Sequence, residues 1–465
     1  MRRPWYNFHM KLTFYGGCGE ATGANYVLES EGTKIMIDCG LHQGSHYAER
    51  ENFEPFPYDV KEIAAVFITH SHLDHIGRLP SLVKAGYRGP IYATTATEDF
   101  AELMLIDSEH LLKDEAKREG RPPLYNNVEI GEVMRQWKGV RYHEKVTVGG
   151  SGEKPAFTVE LYDAGHILGS AIVHVRAEAE GKTIAFSGDL GNSPAPIIRP
   201  TETVPDAEYC LVESTYGDRV HEDVGRRQEL LRNAIIETVR AGGTLMIPAF
   251  AMERTQDLLF QLHQMFRANE IPRVPVFIDS PLAIRLTAVY KKHEDYFNDA
   301  LEQAIARTGD DILNFPGLRL TLTTEQSKEI NDVKPPKIII AGSGMSNGGR
   351  ILHHEMRYLP DPNSTIVFVG YQAEGSMGRQ LLAGAEEVRI FGETIPVRAK
   401  RVDIPGYSAH ADQPHLLDWV GGMPHLKKAF VVQGEGPSSA ALAGKITERF
   451  GVAAEVPAPG EEVVL

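Results

Sequence analysis

The sequence predicts an α/β protein in which a β-rich domain, formed by residues 1–218 and 384–465, is interrupted by a second domain at 219–383. Three observations predict it. Short apolar runs separated by glycine-rich turns precede residue 218, strands alternate with helices over the next stretch, and the β-rich pattern then returns. A single hydrophobic core rarely grows beyond about 250–300 residues, so a chain of 465 residues is expected to form more than one.

The first domain opens with strands, because short β-branched and apolar runs alternate there with glycine-rich turns. A helix is predicted over residues 98–119 from its helical periodicity. One strand leads directly into a histidine-rich segment. The predicted strands are 11–15, 24–30, 33–38, 64–69, 157–162, 171–176 and 183–187.

The second domain alternates buried strands with helices. This alternation favours right-handed crossovers, and hence a parallel sheet with helices on both faces. The predicted strands are 244–250, 274–280, 337–343 and 365–371. The predicted helices are 253–269, 282–297 and 348–358.

Composition and charge exclude several classes of protein. Hydrophobic residues make up 42% of the chain and charged residues 24%, which is typical of a globular protein. The net charge of −15 argues against a broad basic surface that coats nucleic acid, but allows a cleft that binds a few phosphates. Three cysteines (Cys18, Cys39 and Cys210) are too few for a disulfide framework, and no apolar run approaches the roughly 20 residues that span a bilayer. We therefore expect a cytoplasmic protein with no membrane partner.

The densest functional signal is His70-Ser-His72-Leu-Asp74-His75, which places four metal-ligating side chains within six residues. In an extended segment, residues two apart point the same way, so His70 and His72 are expected to hold one ion between them. Asp74 and His75 follow where the chain turns toward a helix, and they are placed to address a second ion nearby.

Two residues further along the chain complete a two-metal site. His166 lies in a glycine-flanked turn after a predicted strand, and Asp189 ends a later strand. A carboxylate has two oxygens, so Asp189 suits a bridging position between two ions about 3.5–4 Å apart. The mixture of imidazole and carboxylate ligands favours zinc, with manganese as the alternative.

These segments resemble the metallo-β-lactamase fold: HSHLDH, AGHILGS and FSGDL occur in the family's order, and Asp38 in MIDCG matches its first, structural aspartate. Other segments resemble the β-CASP group of RNA- and DNA-processing nucleases within that fold, namely VESTYG, IPAFAMERTQ, FIDSPLA, AGSGMSNGGRILHH, GYQAEGS and SAHAD. The resemblance runs from about residue 11 to residue 465. It implies a metallo-β-lactamase αββα sandwich with an inserted β-CASP domain that caps a metal cleft between the two domains.

The resemblance also implies roles for individual residues. The ligands of a first zinc would be His70, His72, His166 and Asp189. The ligands of a second zinc would be Asp74, His75 and the bridging Asp189. The family's general acid matches His410, and its orienting carboxylate matches Glu213. A histidine beside a carboxylate can stay protonated near neutral pH and donate a proton to a leaving alkoxide.

One position departs from the family pattern. The family has a histidine before Gly-Glu as a ligand of the second zinc, whereas this chain has Gln433. A neutral amide oxygen is a weaker zinc ligand than imidazole nitrogen, so that site is expected to bind loosely, to prefer another metal, or to hold a water in the gap. The predicted cofactors are therefore two Zn²⁺, the second weakly bound, with Mn²⁺ as the alternative.

The primary hypothesis is hydrolysis of RNA phosphodiester bonds, endonucleolytic, 5′-exonucleolytic or both. A metal-activated water would attack phosphorus in line, His410 would protonate the departing 3′-oxygen, and Glu213 would orient His410. Asp74, a ligand next to the attacking water, would also accept its proton. The predicted partners are single-stranded RNA and, in a homodimer, a second copy of the chain; DNA stays open as a substrate.

A glycine-rich loop between a predicted strand and a predicted helix provides candidates for binding the RNA backbone. Glycines let backbone N–H groups approach a phosphate at a helix N-terminus, and an arginine adds positive charge. The candidates are Ser343, Gly344, Ser346, Gly348 and Arg350, with Arg254 as a further candidate outside the loop. An ordinary tight turn between strand and helix would explain the same residues.

Three alternative functions remain open. The GxSxG pattern at 344–348, with Asp361, Asp403 and His410 downstream, is typical of a serine hydrolase. However, Ser346 lies several residues beyond the apolar strand, and the histidine cluster would stay unexplained. A metallo-hydrolase of small esters or lactams would have no use for the large insertion. A non-catalytic member of the family, which binds RNA or supports an active partner, would explain Gln433.

Overall fold

The computed structural model describes residues 9–44, 50–150, 154–221, 224–370, 372–373, 375–404 and 406–465. The chain divides into two compact units. The first comprises Met1–Ala195, Arg199–Val220 and His410–Leu465, and the second comprises Pro196–Ile198 and His221–Ala409. The first unit is therefore assembled from both ends of the sequence.

The elements of the described residues are numbered in chain order. The strands are β1 (Lys11–Gly16), β2 (Asn25–Ser30), β3 (Thr33–Ile37), β4 (Ile63–Phe67), β5 (Ile91–Thr94), β6 (Trp137–Val140), β7 (Val146–Val148), β8 (Phe157–Asp163), β9 (Ala171–Ala177), β10 (Lys182–Phe186), β11 (Tyr209–Glu213), β12 (Thr244–Pro248), β13 (Val276–Asp279), β14 (Leu318–Leu320), β15 (Lys337–Ala341), β16 (Thr365–Phe368), β17 (Glu387–Ile390), β18 (Glu393–Pro396), β19 (Lys400–Asp403), β20 (Lys428–Val432), β21 (Ala453–Glu455) and β22 (Glu462–Val464). The α-helices are α1 (Leu73–Ile76), α2 (Leu79–Lys84), α3 (Thr95–Glu119), α4 (Asn127–Gln136), α5 (Val224–Ala241), α6 (Arg254–Arg267), α7 (Pro281–Lys292), α8 (Asp299–Thr308), α9 (Thr324–Glu329), α10 (Ile351–Tyr358), α11 (Met377–Leu382), α12 (Gln413–Gly421) and α13 (Gly436–Phe450).

The first unit contains two seven-stranded sheets that share one core. One sheet has the order β22-β1-β2-β3-β4-β5-β6, and the other has the order β21-β20-β11-β10-β9-β8-β7. Successive side chains point to opposite faces of a strand, so each sheet contributes one apolar face to the space between them. Phe14, Phe67, Phe186 and Phe430 belong to this inner core, and the rings of Phe14 and Phe430 lie 5.2 Å apart between centroids.

Helices cover the outer faces of both sheets. Val66 of β4 points away from the inner core and packs in one cluster with Leu79 of α2. Val212 of β11 does the same on the other sheet, in a cluster with Leu416 of α12. The layers are thus helix, sheet, sheet and helix, which confirms the αββα sandwich that the sequence predicts.

The second unit is built on a six-stranded sheet with the order β14-β13-β15-β12-β16-β19, in which every neighbouring pair is parallel. Ile366 of β16 packs on one face with Ile351 of α10. Thr365, the preceding residue, points to the other face and accepts a hydrogen bond from Thr238 of α5. The predicted parallel sheet with helices on both faces is confirmed.

The second unit extends beyond residue 383, where the sequence predicts the end of the inserted domain. β19 completes the parallel sheet by pairing with β16, and Val388 and Ile395 of the β17–β18 hairpin join the same core. Sequence pattern alone could not assign these strands, because short alternating strands look alike whichever sheet they join. The β-rich stretch therefore begins in the second unit and passes to the first at His410.

Three helices differ from their predicted bounds by three residues or more, and one of them is α10, which begins at Ile351 rather than residue 348. α3 begins at Thr95 rather than residue 98, because the Thr94 side chain accepts a hydrogen bond from the N–H of Thr97. α7 ends at Lys292 rather than residue 297, because His293 leaves the helical conformation with φ −117° and ψ 45°. Among the described residues, no helix combines the length and apolar character needed to cross a membrane.

Candidate metal centre

Polar side chains lie at the carboxyl ends of six strands in the first unit. β8 and β10 are both antiparallel to β9, while β11 is parallel to β10 and to β20. The four strands β8, β10, β11 and β20 therefore run in one direction and end at the same edge of their sheet. In the other sheet, β3 and β4 are parallel neighbours. The side chains at or just beyond these ends are His166, Asp189, Glu213, Gln433, Asp38 and His70.

A first group of ligands consists of His70, His72, His166 and Asp189, whose ligand atoms all lie within 4.8 Å of one another. His70 Nε2 is 3.0 Å from His72 Nδ1 and 3.3 Å from Asp189 Oδ2. His166 Nε2 is 3.3 Å from His72 Nδ1 and 3.5 Å from Asp189 Oδ2. A tetrahedral zinc with ligands at about 2.0–2.1 Å has neighbouring ligand atoms about 3.3–3.4 Å apart. The four side chains therefore fit one zinc ion.

Burial sets the protonation states that this group needs. Desolvation holds the pKa values of His72 and His166 well below the ordinary value, so both rings are neutral and keep the lone pair that a metal ion requires. Burial alone would raise the pKa of Asp189, but the imidazoles of His75 and His70 hold it well below its usual range. Asp189 is therefore ionised, as a carboxylate ligand must be.

A second group lies on the other oxygen of Asp189. The ligand atoms of Asp74, His75 and Asp189 also lie within 4.8 Å of one another. His75 Nε2 is 3.4 Å from Asp189 Oδ1 and 3.8 Å from Asp74 Oδ2. Asp189 thus faces the first group with Oδ2 and the second with Oδ1. His75 is fully buried, whereas the Asp74 side chain is 19% exposed, so Asp74 marks the open side of this group.

Asp38 and Thr69 orient His75 of the second group through the ring nitrogen Nδ1, which faces away from Asp74 and Asp189. His75 Nδ1 lies 2.7 Å from Asp38 Oδ2, and Thr69 donates its N–H and its hydroxyl to the same carboxylate, each over 2.8 Å. Donation from Nδ1 to Asp38 fixes the tautomer of His75 and leaves Nε2 facing Asp74 and Asp189. Sequence reasoning missed Thr69. The available signal was its place between β4 and the first histidine.

Gln433 reaches the second group. Its amide nitrogen Nε2 lies 2.7 Å from His75 Nε2 and 3.2 Å from Asp189 Oδ1. The backbone N–H of Gln433 donates to the Gly17 carbonyl over 2.7 Å, which fixes where the side chain starts. A 180° flip of the Gln433 side-chain amide would place Oε1, a neutral oxygen ligand, where Nε2 lies. The Gln433 amide therefore lies beside His75 and Asp189 of the second group.

A third group connects Asp189 to His410 and Glu213. His410 Nδ1 lies 3.3 Å from Glu213 Oε1 and 3.8 Å from Asp189 Oδ2. Burial alone would lower the pKa of His410, but the carboxylates of Glu213 and Asp189 raise it to about 9. Glu213 is held in place by the N–H of Leu190, which donates to Oε1 over 2.7 Å. The His410 side chain is 26% exposed, so the proton it carries is accessible to a bound molecule.

The two arginines that were predicted to bind phosphate lie in the second unit, where both are paired with carboxylates. Arg350 donates to Asp279 Oδ1 over 2.8 Å and to the Thr321 carbonyl over 2.9 Å. Arg254 is buried, 3.6 Å from the carboxylate of Asp257. These carboxylates offset the positive charge on which the prediction depended.

The glycine-rich loop before α10 closes on itself. Ser343 donates its N–H to the Gly348 carbonyl over 3.0 Å, and its hydroxyl accepts from the N–H of Asn347. A Cβ added at Gly344 would lie 2.7 Å from the Phe250 ring, so a larger residue would not fit there. Gly348 has open space around its Cβ position. Gly348 therefore leaves space for a ligand beside this loop.

Ser346 does not have the surroundings of a catalytic serine. It is buried in the second unit, and its hydroxyl hydrogen bonds to Glu355 Oε1. Burial raises the pKa of Glu355 to about 8, so this partner is largely neutral at pH 7 and is a poor base. The serine-hydrolase alternative therefore finds no support in the contacts of Ser346.

Three family models together match most of the chain. Residues 19–237 match the metallo-beta-lactamase superfamily, residues 255–381 match the Beta-Casp domain, and residues 394–457 match the Zn-dependent metallo-hydrolase RNA specificity domain.

Individual relatives extend over nearly the whole chain. "Ribonuclease TTHA0252" of Thermus thermophilus is 37% identical over 437 residues, which are 94% of this chain and 96% of that protein. "Transcription termination factor FttA" of Methanosarcina mazei is 30% identical over 455 residues, which are 95% of this chain and 69% of the factor. A solved protein of unknown function from Enterococcus faecalis V583 shares the fold, with a TM-score of 0.55, 14% identity and coverage of 98% of this chain and 100% of that one. The chain therefore belongs to the metallo-β-lactamase superfamily and, within it, to the β-CASP group.

Proposed function

We propose that this protein is a metal-dependent ribonuclease that hydrolyses phosphodiester bonds of single-stranded RNA. The proposal depends above all on Asp189, whose two oxygens face two groups of metal-ligating side chains while His410 lies 3.8 Å away. A relative named as a ribonuclease, and the match to an RNA specificity domain, support RNA as the substrate.

We infer that each of the two groups holds one zinc ion. The first ion would be held by His70, His72, His166 and Asp189, and the second by Asp74, His75, Asp189 and the amide of Gln433. Bound zinc lowers the pKa of a water molecule and offsets negative charge on phosphoryl oxygens. Manganese is the alternative at the second group, because carboxylate and amide oxygens are ligands that Mn²⁺ accepts readily.

The chain's own residues would handle the protons. Asp74 lies on the open side of the second group, and burial raises the pKa of its carboxyl, which makes it a stronger base for the proton of the attacking water. His410 is protonated at neutral pH, and its Nδ1 faces Glu213, so Nε2 would donate to the departing 3′-oxygen. Glu213 acts through His410 and is a positioning residue.

Contact with the RNA backbone is assigned to the glycine-rich loop at Gly348. Its Cβ position is open, whereas Arg350 and Arg254 are engaged with Asp279 and Asp257. We also propose a cytoplasmic location, because the three cysteines are unpaired and a reducing compartment keeps them so.

Cleavage of 5′-labelled single-stranded RNA, with zinc content measured on the same samples, tests the proposal. The wild-type protein is expected to cleave, and the product ladder separates endonucleolytic from 5′-exonucleolytic action. Asp189→Ala is expected to lose both bound zinc and activity, because it removes a ligand of both groups. His410→Ala is expected to keep its zinc but to lose about 10²–10⁴-fold in rate, as removal of a general acid does.

Glu102→Gln, at an exposed position on α3, is the control and is expected to cleave like the wild type. A fully zinc-loaded wild-type protein that leaves RNA intact would reject the ribonuclease. Cleavage by Asp189→Ala at the wild-type rate would reject the metal mechanism. A DNA strand of the same sequence, tested in parallel, establishes whether the 2′-hydroxyl matters.

The non-catalytic alternative is not favoured. It was motivated by Gln433 alone, yet the first group has four side chains with zinc-like spacing. The second group retains Asp74, His75 and Asp189. A substitution at one of the outer ligands weakens one ion without removing the nucleophile or the proton donor.

A further inference from the structure

A separate group of ligating side chains lies in the first unit, outside the centre described above. Glu20 in the β1–β2 turn, His42 after β3, and Glu51 have ligand atoms within 4.8 Å of one another. His42 Nδ1 lies 3.0 Å from Glu20 Oε1 and 3.7 Å from Glu51 Oε2. The His42 side chain is 5% exposed, whereas those of Glu20 and Glu51 are 32% and 48% exposed. The imidazole is thus buried beneath two accessible carboxylates.

The fold holds His42 in this orientation. Asn52 accepts a hydrogen bond from the backbone N–H of His42 and donates another to its carbonyl, both over 2.8 Å. The ring packs against Gly23, where an added Cβ would lie 2.5 Å from the ring atom Cε1. Because the backbone is fixed and the ring is confined, Nδ1 stays directed at the two carboxylates.

The polar groups of this cluster lack the hydrogen bonds and the lysine or arginine partners that would be expected if the cluster only stabilised the fold. His42 Nδ1 is buried and makes no hydrogen bond with any described residue. Within the described ranges, neither Glu20 nor Glu51 forms an ion pair with a lysine or an arginine. The cluster therefore combines a buried nitrogen that makes no hydrogen bond with two carboxylates that no lysine or arginine of the described residues neutralises.

We propose that Glu20, His42 and Glu51 form a further metal site, which binds a divalent transition-metal ion. His42 Nδ1 is 3.0 Å from the Glu20 carboxylate and 3.7 Å from the Glu51 carboxylate. Neighbouring ligand atoms of a tetrahedral zinc ion are about 3.3–3.4 Å apart, which lies between these two distances. One imidazole nitrogen and two carboxylate oxygens suit Zn²⁺, and the exposed side leaves the fourth position to water. An ion there satisfies His42 Nδ1 and neutralises both carboxylates at once.

The site would stiffen the backbone that supports the catalytic centre. The β1–β2 turn, which carries Glu20, accepts the N–H of Gln433 at the Gly17 carbonyl over 2.7 Å. At the end of the same turn, Ala24 donates its N–H to the Asp74 carbonyl over 2.9 Å. An ion shared by Glu20 and His42 ties this turn to the segment after β3. The site itself contains no residue of the catalytic centre.

Zinc content per chain after equilibrium dialysis against zinc chloride tests the proposal directly. The double variant Glu20→Gln/Glu51→Gln is expected to bind one zinc fewer than the wild-type protein. Glu102→Gln/Glu387→Gln, at two exposed positions, makes the same change in net charge and is expected to bind as many zinc ions as the wild type. Equal zinc contents in all three proteins would overturn the proposal.

The Asp189→Ala protein isolates the site, because Asp189 belongs to each group of the catalytic centre. Zinc chloride is expected to raise the Tm of this protein by about 2 °C or more, as binding to the folded state does. The same addition is expected to leave Tm unchanged once Glu20→Gln/Glu51→Gln is introduced. Equal shifts in the two proteins, or no shift in either, would contradict the site. Neither measurement uses RNA, so the outcome is independent of the proposed ribonuclease activity.

Discussion

Gln433 is placed by its backbone rather than by the chemistry of its side chain. Its φ of 49° lies in the left-handed region, which a non-glycine residue rarely adopts. Hydrogen bonds from its N–H to the Gly17 carbonyl and from the Ser214 N–H to its own carbonyl hold this conformation. The backbone therefore directs the side chain of residue 433, whatever its type, toward His75 and Asp189.

Gln433→His is expected to tighten binding of the second zinc by at least about tenfold. Imidazole nitrogen is a stronger zinc ligand than an amide oxygen, and histidine tolerates the left-handed backbone better than most residues. Calorimetric titration of the metal-free protein with zinc chloride measures this, because the two ions bind with different affinities.

Gln380→His is the matched control, since it adds the same imidazole at an exposed position on α11. It is expected to leave both zinc affinities unchanged. A second zinc bound more weakly by Gln433→His than by the wild-type protein would remove Gln433 from the ligand set.

Single residues were predictable where the ligands are neighbours in the chain. The spacing of His70, His72, Asp74 and His75 marks a metal site without further information. Gln433, by contrast, lies 244 residues from Asp189 and was assigned only through resemblance to a family motif. The cluster at His42 was not predicted, because its carboxylates come from separate segments and carry no spacing pattern.

Short turns, more than long helices, align the elements around the centre. α1 is a single helical turn that carries Asp74 and His75, and the chain after β3 packs directly against it. A Cβ added at Gly40 would lie 1.5 Å from the Asp74 carbonyl oxygen. The Gly40 N–H donates to the Ala24 carbonyl. Backbone atoms are therefore in direct contact where the turn after β1, the segment after β3 and the start of α1 meet.

Gly40→Ala is expected to destabilise the protein by about 1–3 kcal/mol and to lower its zinc content, because the methyl group forces Asp74 away. Gly444→Ala is the control: it lies within α13, with no atom within 4 Å of the added Cβ. That substitution is expected to stabilise the protein by about 0.5–1 kcal/mol through helix propensity. Urea unfolding and zinc analysis measure both effects, and unchanged zinc binding by Gly40→Ala would show that the close contact is dispensable.

Half of the strands in the described residues were predicted from alternation and apolar runs, and the ends of several helices were not. The predicted strands 11–15, 24–30 and 33–38 agree with β1, β2 and β3 to within one residue at each end. Helix ends depend on single hydrogen bonds, such as the one that Thr94 accepts at the start of α3. Membership of β17–β19 in the second unit depends on tertiary pairing, which leaves no trace in local sequence.

At the scale of the whole molecule, the net charge of −15 shapes how RNA is bound. The proposed catalytic centre contains the carboxylates of Asp74, Asp189 and Glu213, so the proposed metal ions would supply much of its positive charge. The two arginines of the second unit singled out from the sequence are already paired with carboxylates. These two arginines are therefore expected to release few counterions from the RNA.

Binding of single-stranded RNA is therefore expected to depend weakly on salt. Each phosphate contact by a basic side chain contributes about −0.7 to the slope of log K against log salt, so about three contacts give a slope near −2. Fluorescence anisotropy with the zinc-loaded His410→Ala protein measures binding without cleavage. A slope of about −5 or steeper would require a basic surface that the sequence does not provide. Removal of zinc with a chelator is expected to abolish most of the binding.

The pairing of β11 with β20, and of β1 with β22, has a consequence for how the protein is made. The first unit joins segments whose synthesis is separated by that of the whole second unit. Synthesis proceeds at about 5–20 residues per second, so His410 and Gln433 emerge many seconds after Asp189. Under the proposed mechanism, a nascent chain that has reached the second unit already carries His70, His72, Asp74, His75, His166 and Asp189 but lacks His410 and Gln433. We expect such a chain not to cleave RNA until the strand β20 has joined β11.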